Sequence, residues 1–196
     1  MHLFIELITL LFFLITVAHA VRHHGREGAL FFATLLYLGG ARETLVAVMR
    51  WLYGFAPLNL MLGPAPLIGA IIWGYSIYAA VVWAGGITGR SPLRDHPTAN
   101  ELSLAALFMI TLACFYEPIL ELIGMAKWED GTRRTWGIPW IALIGYPTLT
   151  VPFLWLWGRL RQLTGIKRFL VTAAAMTLLA AGHAAGLQWL KDGLGW

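Results

Sequence analysis

Three glutamates and one arginine stand where a membrane-spanning sequence ordinarily has apolar residues. Glu117 and Glu121 fall inside the run ACFYEPILELIG, with Pro118 directly after the first. Residues four apart share a helix face, so both carboxylates are aimed the same way. Arg42 and Glu43 interrupt a second apolar run just after Gly39-Gly40. An ionisable side chain at membrane depth costs about 3 kcal/mol on insertion scales, so such residues mark a functional cavity or a buried pair. Two readings fit. In one, a carboxylic acid in apolar surroundings protonates a substrate while a second carboxylate activates water. In the other, Arg42 and the glutamates form a buried ion network that fixes helix register. Adjacent residues do not face each other on a helix. Arg42 is therefore expected to pair away from Glu43, with Glu117 or Glu121 as the partner.

The elements that must hold these residues are membrane helices. Of 196 residues, 59% are hydrophobic and 12% charged, about half the charged share of a soluble domain. Mean hydropathy is +0.69, and apolar runs of about 20 residues, each enough to cross a bilayer, recur from end to end. The expected fold is all-α, a polytopic bundle in one transmembrane domain. Its six helices lie near 3–21, 29–53, 66–86, 101–125, 138–160 and 169–190. The net charge of +4 sits in short connections, where topology selection and anionic lipid account for it, and nucleic acid is not implied. The single cysteine, Cys114, excludes an internal disulfide, and no Cys/His cluster has the spacing of a metal site.

The first span contains Glu6 and His19. Its Ala18-His19-Ala20 has the form of a signal cleavage site, but no Lys or Arg precedes the apolar run, so an uncleaved helix is expected, with Glu6 reaching the interface. Arg22-His23-His24-Gly25-Arg26 reads as a solvated cap. Residues 54–68, rich in Pro and Gly, read as a turn or a re-entrant stretch. Trp73 and Tyr75 fall inside the third helix and are candidates to line a ligand site, and Thr98 or Asn100 caps the fourth. A loop rich in Trp, Gly and Pro, with Trp128 and Trp136, joins helices four and five, and Pro147 and Pro152 bend the fifth. His183 among small residues of the sixth reads as a hydrogen-bonded packing element. The basic residues concentrate after helices one, three and five, which places the termini outside the cytoplasm. Glu43 and Glu117 are each followed by a Gly/Pro-rich turn, an echo too faint to define a repeat.

The ordered set of Glu43, Tyr53-Gly54-Phe55, Gly63-Pro64-Ala65-Pro66-Leu67, Trp73, Glu117-Pro118, Trp128, Gly131, Gly137-Ile138-Pro139 and Gly145-Tyr146 resembles the carotenoid biosynthesis membrane family that includes the CruF-type carotenoid hydratases. Members of that family are longer. They carry an aspartate shortly before Glu-Pro, where this chain has Ala113-Cys114-Phe115, and Trp where it has Tyr146. The resemblance implies a multi-pass protein of a prokaryotic inner (plasma) membrane that binds or hydrates an acyclic isoprenoid polyene such as a carotenoid, a lyase-class reaction without a cofactor or metal. Hydration of a terminal trisubstituted C=C needs an acid, a stabilised tertiary cation and an activated water. Glu117 is the candidate acid, Glu121 or Glu43 the water-activating partner, and Trp73, Trp128, Trp136 and Tyr146 the rings that face the cation. The alternative is a non-enzymatic subunit that holds pigment or lipid within a larger membrane complex, with other membrane proteins as partners.

Overall fold

The computed structural model describes residues 2–56, 58–129 and 131–194. Pro57 and Asp130, which belong to the two segments before α3 and α5, lie outside the described residues. Six helices dominate: α1 (His2–His24), α2 (Arg26–Met49), α3 (Leu67–Thr88), α4 (Ala99–Leu122), α5 (Trp140–Leu160) and α6 (Gly165–Leu194). All six are long and apolar enough to cross a membrane, and the protein is a polytopic helical bundle. Short strands add to this: β1 (Tyr53–Phe55), β2 (Met61–Leu62), β3 (Ala65–Pro66), β4 (Ala126–Trp128), β5 (Arg134–Thr135) and β6 (Ile138–Pro139).

Local chemistry sets the boundaries. Thr98 caps α4 in a reciprocal capping box with Glu101, which satisfies donors on both sides of the first turn. The expected end of α2 near residue 53 is corrected to Met49. Arg50 and Leu52 take left-handed φ values of 54° and 64°, which turns the chain out of the helix and leads into β1. The α3 and α5 caps are Pro66 and Pro139, with φ of −65° and −67°, close to the value the ring imposes. Each proline closes a two-residue hairpin. Trp136 and Gly137 both have positive φ, as a type I′ turn requires, whereas Gly63 has positive φ and Pro64 follows, the II′ pattern.

The faint echo between the halves becomes a duplication in the backbone. α2-β1-β2-β3-α3 is followed by α4-β4-β5-β6-α5, and the elements start in constant register 73 residues apart (26 and 99, 53 and 126, 61 and 134, 65 and 138, 67 and 140). Between residues 53–83 and 126–156, only Pro66/Pro139, Ile68/Ile141 and Ile71/Ile144 are identical at that offset. β1 pairs antiparallel with β4, Tyr53 opposite Trp128 and Gly54 opposite Lys127. This is the pairing expected of two equivalent strands that meet across a two-fold axis. A duplication that preserves helix direction places such an axis along the membrane normal.

α1 and α6 flank the repeats. Glu6 is buried within the protein: its carboxylate accepts from Asn59 N at 3.0 Å, Asn59 Nδ2 at 2.9 Å and Leu60 N at 3.2 Å, tying α1 to the first hairpin segment. The segment after α1 is helical to His24, not a loop, and Gly25 alone separates the first two helices. α6 lies against α2 and runs parallel to it, since Arg168 meets Glu27 near their starts and His183 meets Arg42 further along.

Gly39 is a point of close approach between α2 and α3. A methyl group there would lie 3.0 Å from both the Cα and the carbonyl oxygen of Ala70, whereas at Gly86 it would meet nothing within 4 Å. Gly39→Ala is expected to destabilise the bundle by about 1–3 kcal/mol through overpacking. Gly86→Ala is expected to leave stability unchanged or to raise it by up to about 1 kcal/mol. Unfolding in detergent, followed by Trp fluorescence, checks both.

Candidate active site

The two halves converge on one cavity. Its volume is about 50 Å³, and Arg42, Glu43, Tyr53, Trp73, Glu117, Trp128 and Tyr146 line it. A water molecule occupies about 30 Å³ of the liquid, so this is a water-sized space.

Each half supplies one carboxylate to it and surrounds that carboxylate with aromatic donors. Glu43, from α2, is 1% exposed. It accepts from Trp73 Nε1 of α3 at 2.7 Å and from the Tyr53 hydroxyl of β1 at 2.8 Å. Glu117, from α4, is 6% exposed. It accepts from the Tyr146 hydroxyl of α5 at 2.8 Å and from Trp128 Nε1 of β4 at 2.7 Å. Trp73 and Tyr146 are equivalent in the 73-residue register, while the carboxylates are one residue out of it. The β1–β4 pairing sets the strand donors side by side, with the Tyr53 and Trp128 rings 4.8 Å apart, and Trp73 stands 5.0 Å from Tyr146.

Arg42 breaks the symmetry. The expectation that it pairs away from its neighbour is corrected: its Nη1 lies 2.5 Å from Glu43 Oε1. Backbone geometry keeps adjacent side chains on different faces, but both chains are long enough to curl to a common point where Tyr53 and Trp73 already hold Glu43. Nη1 also donates to the Tyr53 hydroxyl. The guanidinium lies 5.5 Å from the Tyr53 ring and 5.1 Å from the Trp73 ring. Its Nε donates to His183 Nδ1 at 3.3 Å, while His183 Nε2 donates to the Gly145 carbonyl at 2.9 Å. That carbonyl can only accept, so His183 is the neutral Nε2–H tautomer. It serves as a buried packing element, as its surroundings in the sequence suggest. Among the described residues every hydrogen-bond donor to Glu117 is neutral, whereas Glu43 is ion-paired.

Glu121 and Trp136 lie away from the cavity. Glu121 is one turn beyond Glu117, in the last turn of α4, and pairs with Arg134 Nη1 of the second hairpin at 2.5 Å, where both side chains are partly exposed. Trp136 forms the hairpin tip and is 92% exposed. Trp73, Trp128 and Tyr146 line the cavity. Tyr53 was not singled out as a site residue. Its partner strand is some 75 residues away (Tyr53 opposite Trp128), and no local pattern gives that pairing. Tyr53 lies outside the helices, and burial pushes its hydroxyl well above the ordinary phenol range, so it remains a neutral donor.

Removing one partner of a buried ion pair leaves a charge uncompensated. Glu43→Gln is expected to destabilise the protein by about 3–5 kcal/mol, and adding Arg42→Met to recover most of the loss. Chemical denaturation in detergent for the single and double variants measures the coupling. The chain matches no known protein family, no curated protein and no solved structure in the comparisons, so the functional reading rests on its own residues.

Proposed function

We propose that the chain is a membrane-embedded acid–base enzyme that adds water to a terminal trisubstituted C=C of an acyclic isoprenoid polyene, of the carotenoid class that its motif order resembles. The observation that carries this reading is the unequal pairing of two buried carboxylates that flank one water-sized cavity. Trp128 Nε1 can only donate, so in the acid form of Glu117 the proton resides on Oε1, which faces the Tyr146 hydroxyl. That proton moves to the less substituted alkene carbon, and the C=C π electrons form the new C–H bond. The tertiary cation left behind lies near the Glu117 carboxylate, which keeps its two donors, and the Trp128 and Tyr146 rings attract it by about 0.5–2 kcal/mol. The Tyr53 and Trp73 rings already face Arg42. Water in the cavity forms the C–O bond and loses a proton to Glu43, the carboxylate paired with Arg42. A proton returning from Glu43 to Glu117 through cavity water resets the site.

The second reading is a non-enzymatic, pigment- or lipid-holding subunit. The small cavity favours it, as does the full set of protein donors on both carboxylates, because a satisfied network fixes helix register without chemistry.

Pigment analysis of a lycopene-accumulating host separates the two. Wild type is expected to yield a product heavier by one water, and Glu117→Gln to lower its amount by at least about 100-fold while the protein stays folded in the membrane. Unchanged pigment with folded wild type, and carotenoid retained at fixed stoichiometry on purification, supports the subunit reading.

A further inference from the structure

The end of the bundle away from the carboxylates holds a second cavity, of about 800 Å³, between the start of α2, the end of α5 and the start of α6. Its polar lining is dominated by cations. Arg168 is fixed there by two bonds to Glu27, at 2.8 and 2.7 Å, and lies 5.3 Å over the Trp157 ring. Glu27 thereby balances Arg168, which leaves Arg26 and Arg161 as uncompensated charge in the lining.

Two buried donors in this wall have no hydrogen-bond partner among the described residues: Arg161 Nε and Trp157 Nε1. Trp157 is 1% exposed. Both groups can only donate, and leaving a buried donor unmatched is costly, so what is missing is an acceptor. With two excess arginines beside it, the acceptor that fits is an anion. Leu30, Ala33, Phe169 and Ala173, interspersed with Thr34, Tyr37 and Thr172, form a largely apolar wall that runs from the basic end into the transmembrane part of α2 and α6. A free anion has no use for such a wall, whereas an acyl chain does.

We propose that this cavity binds an anionic phospholipid, its phosphate against Arg26 and Arg161 and its chains along the apolar part of the wall between α2 and α6. The positive-inside rule assigns this basic end to the cytoplasmic side, where anionic lipid concentrates. The site is independent of the chemistry at Glu43 and Glu117.

The test is lipid retention by the purified full chain, measured by native mass spectrometry with dioleoyl phosphatidylglycerol or dioleoyl phosphatidylcholine added in detergent. Phosphatidylglycerol is expected to bind in preference to phosphatidylcholine. Its affinity is expected to fall about fivefold for Arg26→Ala or Arg161→Ala and about thirtyfold for the pair. Arg94→Ala, at the same end but outside the cavity, is expected to have no effect. Equal binding of the two lipids, or undiminished phosphatidylglycerol binding by the double variant, overturns the proposal. So does displacement of phosphatidylglycerol by millimolar inorganic phosphate, which would make the site one for the free anion.

Discussion

A carboxylate among membrane helices must find its hydrogen-bond donors inside the protein, because the hydrocarbon offers none. In this chain the donors that reach Glu43 and Glu117 are an arginine, two indole N–H groups and two phenol hydroxyls. The positions of these donors explain much of the architecture. Trp73 and Tyr146 come from the helices that follow the two hairpins. Tyr53 and Trp128 come from strands that must pair to stand side by side. The hairpins turn at left-handed residues and hand over to Pro66 and Pro139, so that α3 and α5 start where their aromatic residues reach back to the carboxylates.

Duplication gives this arrangement its two-fold form, and Arg42 makes the halves unequal. Glu43 is ion-paired while the described donors to Glu117 are neutral, and the proposed acid and base roles rest on that difference. The same asymmetry serves stability: Glu43 compensates a guanidinium that would otherwise be buried alone, and His183 and the Tyr53 and Trp73 rings complete its surroundings.

The six spans were legible because each is an apolar run bounded by charge or by Gly and Pro, and the expected ends of most fall within a few residues. The hydrogen-bonded role of His183 and a cap of α4 at Thr98 or Asn100, which falls on Thr98, were likewise readable. The β1–β4 pairing was not, since strands of three residues have little periodicity and these two are far apart in sequence. Without it, Tyr53 looked like the end of α2. The repeat is only a faint echo in the sequence because the 73-residue register conserves backbone geometry rather than residue type: Gly63 and Trp136 occupy the same left-handed turn position. Spacing put Glu121 on the face of Glu117, but it could not show that the helix ends one residue later and that Arg134 draws the carboxylate outward. Nor could it show that Arg42 would bend to its own neighbour.

The central claim is that Glu117 delivers a proton to carbon and that water in the shared cavity completes the addition. Turnover of an acyclic carotene in deuterium oxide tests it most directly, read by mass and by the position of label in the product. The account requires one non-exchanging deuterium on the carbon next to the new tertiary hydroxyl with wild-type protein, and no labelled product from folded Glu117→Gln. A hydrated product without carbon-bound deuterium, or one formed equally well by Glu117→Gln, would contradict it.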